Sequence, residues 1–146
     1  MSARLIGIAR RDKPRAPMEL LARARVSYDA GIEGDCRGRT PDRNLTIIFK
    51  DDWEAACRDL GRDLPWVTRR ANLLVEHLSG FKHVGAKLKI GSVLLEVTEE
   101  NPPCRVMDLQ AEGLRVALQP DWRGGIACRV LQDGEIALGD IVTLVN

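Results

Sequence analysis

Apolar positions along this chain fall in short runs separated by glycine, proline and charged residues, a pattern of many strands and few helices. Ala3–Ala9 reads as a first strand on Leu5, Ile6 and Ile8, and a basic, proline-interrupted loop follows from Arg10 to Pro17. Periodicity leaves Met18–Tyr28 open between a strand and a short helix. Ala30–Arg43 is rich in glycine and charge and reads as a long polar loop, a setting in which functional residues concentrate. Leu45–Phe49 is a strand by its β-branched content. Lys50–Leu60 is expected to be a helix, with Asp51 and Asp52 in its first turn, Trp53, Cys57 and Leu60 on one face, and Gly61 as its stop. After a loop at Pro65 and Trp66, further strands are expected at Ala71–Glu76, Lys87–Ile90 and Ser92–Thr98, the last alternating except at Leu94. Asn101-Pro102-Pro103 breaks the chain, and Cys104–Leu118 has helical spacing interrupted at Gly113. Ile126–Leu131, a tight turn at Asp133-Gly134, and Ile141–Val145 complete the reading. Short strands with glycine punctuation predict a mostly β barrel or sandwich with a few helices.

Composition narrows this picture. The 146 residues fit one domain, 1–146, and 45% hydrophobic with 29% charged residues excludes a disordered chain. Twenty-two basic against 21 acidic residues leave a net charge of +1, so no global field draws nucleic acid or an anionic membrane. No apolar run reaches the roughly 18–20 residues of a membrane helix, and Met1-Ser2-Ala3-Arg4 does not open a signal peptide. A cytoplasmic protein with reduced thiols is the expectation.

Candidate chemistry therefore rests on thiols and arginines. The two histidines, His77 and His83, offer little material for a metal or acid–base site. Cys57 and Cys128 lie on apolar faces and read as core. Cys104 follows two prolines that fix the backbone and precedes Arg105, an arrangement that presents and activates a thiolate, which is both nucleophile and soft-metal ligand. Cys36 stands near Arg37 and Arg39 in the glycine-rich loop and reads as an incidental loop residue or a second activated thiol. Arg37, Arg39 and Arg43, the Arg69-Arg70 pair, Arg123 before Gly124-Gly125, and Arg129 provide forks suited to phosphate.

The pieces Gly31-Ile32-Glu33-Gly34-Asp35, Arg43 before Leu45-Thr46-Ile47-Ile48, Arg70-Ala71-Asn72-Leu73, Leu95-Glu96-Val97-Thr98 leading to Pro102-Pro103-Cys104, and Arg123-Gly124-Gly125 with Arg129-Val130-Leu131 occur in one order. In this the chain resembles the MOSC domain family, named for the C-terminal domain of molybdenum cofactor sulfurase. The resemblance implies a β-barrel like the barrel domain of pyruvate kinase, and a link to the molybdenum cofactor, a pterin dithiolene bearing a phosphate. It also implies that Cys104 is the family cysteine, a persulfide carrier or a molybdenum ligand. Arg43, Arg70, Arg123 and Arg129 would meet the phosphate, Asn72 the pterin, and Asp35 would orient a loop or an arginine. Two departures stand out: Cys36 where relatives place His or Arg, and Ala71 where relatives often carry Glu. No pyridoxal-phosphate-dependent desulfurase part and no iron–sulfur reductase part accompany the pattern, so sulfur or electrons would come from an external donor protein.

The expected function is thus binding of the molybdenum cofactor with Cys104 as sulfur carrier or metal ligand, within a sulfurtransferase or a molybdenum-dependent oxidoreductase. The alternative is a non-catalytic adaptor whose Trp53, Trp66 and Trp122 anchor a protein partner. A third option is a metal site built from Cys36, Cys104, Cys128 and a histidine.

Overall fold

The computed structural model describes residues 2–145; Met1 and Asn146, the ends of the expected domain, lie outside the described residues. Its strands are β1 (Ser2–Arg10), β2 (Glu19–Leu20), β3 (Arg23–Ser27), β4 (Gly31–Ile32), β5 (Leu45–Phe49), β6 (Leu73–Val75), β7 (Lys87–Ile90), β8 (Val93–Glu100), β9 (Ile126–Gln132), β10 (Gly134–Ala137) and β11 (Ile141–Val145). The helices are α1 (Lys50–Leu60), α2 (Val106–Gln110) and α3 (Leu114–Ala117), with 3₁₀ turns at Trp66–Arg69 and Pro120–Trp122.

Seven strands close a barrel in the order β11-β7-β8-β9-β5-β6-β1, with β1 returning to β11 and β2 appended to β1. Closure works because β1 changes partner along its length. Ser2 to Arg4 pair with β11, and from Leu5 onward the strand pairs with β6 across an irregularity between Leu5 and Gly7. Gly7 lies under Trp66, whose ring a Cβ would strike. β5 and β6 are parallel, and α1 and the first 3₁₀ turn form the connection between them.

The continuous apolar run of β5 follows from its position between two cores. Ile47 and Phe49 enter the barrel, where Phe49 stacks on Phe81 with ring centroids 3.7 Å apart, and Ile48 faces the helices with Trp53, Ala56, Met107, Leu114 and Leu118. α1 forms as its apolar spacing predicts, with Gly61 in the left-handed conformation as its C-cap. Cys57 and Leu60 pack against the outer core, and Cys128 is buried inside the barrel between Ile126 and Val130. Burial pushes the Cys128 thiol well above its usual range, so it stays protonated and inert.

Several elements differ from the sequence reading. Met18–Tyr28 resolves into the two strands β2 and β3. The polar loop after it contains β4, and the residues after the turn at Asp133 form β10. β3, β4 and β10 make a small sheet that adds Val26, Ile32 and Ile136 to the barrel core. The helical stretch after Cys104 splits into α2 and α3 because Gly113, in the left-handed region, stands between them.

The loop from β4 to β5 is tightly built. Asn44 is buried and donates to the Tyr28 and Gly38 carbonyls at 2.9 and 2.8 Å while accepting from Val130 N–H at 2.9 Å. Gly38 rests directly on Ala30, so a Cβ there would overlap the Ala30 carbonyl oxygen. Gly38→Ala is expected to cost about 3 kcal/mol or more, since backbone must move to admit the methyl. A shift in the denaturant midpoint at unchanged slope checks this.

Candidate functional site

Two prolines carry the chain off the barrel rim where β8 ends. Asn101 N–H still bonds to the Gly125 carbonyl at 2.9 Å, Pro103 is buried, and Cys104 then emerges exposed. The Cys104 carbonyl accepts from Met107 N–H at 3.0 Å, so the thiol stands just ahead of α2, whose N-cap is Arg105.

The cation beside Cys104 is Arg69, which is only 6% exposed. Its Nε donates to the Gly124 carbonyl at 3.0 Å and its Nη2 to the Asn101 carbonyl at 2.8 Å. It forms no ion pair with a carboxylate among the described residues. Burial brings its guanidinium down to about 10, the Cys104 charge opposes that fall, and Arg43 adds to it. Arg43 reaches the same junction from the other side, donating to Asn101 Oδ1 at 2.9 Å and to Glu99 Oε1 at 2.8 Å. Asn101 thus ties both arginines together, by its carbonyl and its side chain. Gly124 permits the approach: a Cβ there would stand 2.5 Å from the Asn101 carbonyl oxygen.

Arg70 goes elsewhere. It ends the 3₁₀ turn at φ 63°, and its Nη2 donates to the Ala16 carbonyl at 2.6 Å, near Arg11 and Cys36. Burial lowers its pKa. Neighbours in sequence, Arg69 and Arg70 turn to different partners, Arg69 to the carbonyls by Cys104 and Arg70 to the loop of Ala16. Asn72, also buried, accepts from Thr46 N–H at 3.0 Å and donates to the Ala9 carbonyl at 3.2 Å, joining β1, β5 and β6. Asp35 accepts backbone N–H groups of Arg11 and Arg37 at 3.1 and 3.2 Å and so orients its loop.

Two further predicted arginines, Arg123 and Arg129, are occupied by carboxylates. Arg123 pairs with Asp59 at 2.6 Å and donates to the Ala117 carbonyl at 3.0 Å. Arg129 pairs with Glu96 and with Asp42, the latter at 3.0 Å. Arg43 and Arg129 line a hollow of about 440 Å³ with Asp42, Glu96 and Glu99. Two guanidiniums there face three carboxylates, a balance that does not favour phosphate. Among the described residues no group of three or more His, Cys, Asp or Glu could hold a metal ion. Trp53 is in the outer core, Trp66 packs against it, and Trp122 packs against the barrel core, all three turned inward.

Backbone strain gathers at this junction. Among the described residues five non-glycine residues have positive φ, and Asp42, Arg70, Asp121 and Trp122 are four of them. They stand next to Arg43, Arg69 and the Arg123-Gly124 pair. Lys82 holds the strained turn, its Nζ donating to the Asp121 carbonyl at 2.6 Å and to Asp121 Oδ2 at 3.2 Å. Such conformations cost about 1–3 kcal/mol each and persist where surrounding structure enforces them, characteristically at functional sites.

From the Arg69-Arg70 pair the sequence reading takes Arg70 as the site residue, and it assigns no role to Asn101. The Arg69-Arg70 doublet was the available signal. Which of the two turns toward the thiol depends on the 3₁₀ turn and the left-handed residue that ends it.

The MOSC domain family model matches residues 35–143. No curated protein matches the chain. Among solved structures, the YuaD protein of Bacillus subtilis superposes with a TM-score of 0.83 at 18% identity, over 99% of this chain and 96% of that one. YiiM of Escherichia coli gives 0.75 at 17% identity, over 98% of this chain and 70% of that one. YiiM of Geobacillus stearothermophilus gives 0.71 at 19% identity, over 99% and 73%. At these identities the likeness is one of fold.

Proposed function

This chain belongs to the MOSC domain family, and on that premise we propose that it handles sulfur for, or at, a molybdenum–dithiolene cofactor, with Cys104 as the working atom. The observation that carries the reading is an exposed thiol beside a buried guanidinium that no carboxylate neutralises.

A phosphate-bearing pterin dithiolene asks for a soft sulfur donor and a cation free to meet its phosphate. Cys104 is the first. Arg70 is the second: unlike Arg43, Arg123 and Arg129, it has no carboxylate partner among the described residues. The cofactor brings its own dithiolene sulfurs to the metal, so one protein thiol suffices and no ligand cluster is needed. When bound, it would supply the redox chemistry of molybdenum.

What the chain's own residues do is present and bias a sulfur. Pro102 and Pro103 limit the backbone at Cys104, and Arg69, held by the Gly124 and Asn101 carbonyls, keeps a positive charge near the sulfur. In sulfur uptake, the Cys104 thiolate attacks the outer sulfur of a donor persulfide, R–S–S⁻. The donor S–S bond breaks, a Cys104–S–S⁻ group forms, and R–S⁻ leaves. The carried sulfur sits at the rim, where an acceptor has access. A donor protein, rather than this chain, would generate the persulfide.

Expression in cells that synthesise the cofactor tests the reading. The purified protein is expected to hold molybdenum and pterin, or to accept sulfur from a persulfide donor. A protein that does neither would overturn it.

A further inference from the structure

A hollow of about 460 Å³ lies on the outer wall of the barrel, where β1, β11 and β7 run side by side. It is remote from Cys104. Gly91, on its rim, precedes β8, and Cys104 follows the far end of that eight-residue strand, about 25 Å away.

Strand alternation builds the floor. Arg4 on β1, Ile141 and Thr143 on β11, and Lys89 on β7 point outward, because Ala3, Leu5, Val142, Leu88 and Ile90 between and beside them fill the core. Register sets Arg4 beside Ile141 and Lys89 beside Thr143. Ile141, 52% exposed, thus offers apolar surface on the strand that separates the two cations. At the rim, Gly139 has φ 94°, and a Cβ there would meet no atom within 4 Å, so its backbone stands open to a ligand. Its carbonyl accepts from Arg4 Nη1 at 2.9 Å, which fixes the guanidinium in place.

Neither Arg4 nor Lys89 pairs with a carboxylate among the described residues, whereas Arg10, Arg43, Lys82, Arg123 and Arg129 all do. Their neighbours across the strands supply no counter-ion: Lys89 stands between Thr143 and Leu94, and Arg4 opposite Ile141. Glu76, whose Oε1 accepts Arg4 N–H at 3.0 Å, lies just past β6, on the other side of β1. Asp140 is the one carboxylate among the described lining residues, and its Oδ2 accepts from Ala137 N–H at 2.9 Å. Lys87, the next outward residue of β7, adds to the same field, since the Glu96 opposite it is held by Arg129. The charge balance is the reverse of that in the hollow at Arg43 and Arg129, and it favours an anion.

We propose that this hollow is a second binding site, for a small organic anion whose carboxylate or phosphate lies between Arg4 and Lys89 and whose apolar part rests on Ile141. Its volume suits a small molecule. The site does not rest on the cofactor reading.

Backbone amide shifts of labelled wild-type protein, titrated with phenyl phosphate, benzoate, inorganic phosphate and benzylammonium, test it. Saturable shifts at Gly91, Gly139, Ile141 and Thr143 are expected with phenyl phosphate or benzoate, at a Kd below about 5 mM; the tighter of the two identifies the head group. Inorganic phosphate, lacking the apolar part, should bind about tenfold more weakly or worse. Arg4→Gln and Lys89→Gln should each weaken the aryl anion about tenfold, and raising the salt from about 0.02 to about 0.5 M should weaken it further. No saturable shift with either aryl anion, equal binding of benzylammonium, inorganic phosphate as tight as phenyl phosphate, or undiminished binding by the variants would overturn the proposal. Should Arg4→Gln fail to fold, Lys89→Gln decides, because the exposed Lys89 side chain makes no hydrogen bond or ion pair among the described residues.

Discussion

Cys104→Ser protein is expected to take up no persulfide sulfur and to hold molybdenum only at background, while its stability stays within about 0.5 kcal/mol of wild type. The two halves of this expectation have separate causes. Serine keeps the size of the side chain at an exposed position, and among the described residues no hydrogen bond of the Cys104 side chain supports the rim. It lacks both the nucleophilicity of a thiolate and the softness that molybdenum accepts. Assays of bound molybdenum and transferred sulfur, beside a denaturant titration, check both. Loss of function together with a large loss of stability would point to a structural cysteine instead.

Arg69 carries the second large effect, and two substitutions divide it. Arg69→Ala leaves the Gly124 and Asn101 carbonyls unpaired in a buried place and opens a void. The expected cost is about 2–4 kcal/mol. Arg69→Gln keeps a donor and removes the charge. The fold holds that charge at a disadvantage, since burial brings the guanidinium down from the ordinary arginine range to about 10, so Arg69→Gln should lie within about 1 kcal/mol of wild type. It should nonetheless slow sulfur uptake at Cys104, because the thiolate loses its buried cation. The pH dependence follows the same logic. The disadvantage is fully present below about pH 10 and is relieved as pH rises above about 10 towards the ordinary arginine range, where the unfolded chain still holds the proton that the folded chain has released. Wild type should therefore gain stability relative to Arg69→Gln over that interval. Comparing the pair cancels the opposite trend from Cys128, whose protonated burial costs stability as pH climbs above the ordinary thiol range. A difference that stays flat with pH would contradict the assignment of a buried, uncompensated charge.

Much of the barrel is legible in the sequence because its strands alternate or run apolar over four residues or more. β1 buries alternate residues through Ala3 and Leu5, β8 does so through Val93, Leu95 and Val97, and the face of β9 that holds Cys128 follows from Ile126 and Val130. The small sheet is less visible. β4 is two residues long and begins at a glycine, so its burial is decided by β3 and Asn44 rather than by any local pattern. The prominence of Cys104 is likewise local, since two prolines and a strand end are enough to present a thiol. The partners of the arginines are not local. Arg43 finds Glu99, Arg123 finds Asp59 and Arg129 finds Glu96 at separations of 56, 64 and 33 residues. Composition reveals that the charges balance, but only the fold reveals which guanidiniums are spent. Arg69, beside Cys104, and Arg70 are among those left without a carboxylate, and they are the ones the proposed chemistry uses.

The barrel also explains why the junction tolerates its strain. Asp42, Arg70, Asp121 and Trp122 each lie close to a fixed element: the loop before β5, the start of β6, or the turn that Lys82 clamps. Rigid strands on either side hold these conformations in place, and with them the carbonyls that receive Arg69.

The most direct test is the chemical state of a single residue. Protein isolated from cells that make the cofactor is alkylated under native conditions, before and after the cofactor is stripped, and the peptide bearing Cys104 is weighed. Cys104 should be either shielded from the reagent until stripping or alkylated with an additional sulfur atom. A plain, equally alkylated thiol in both samples would show that this sulfur neither carries nor binds anything.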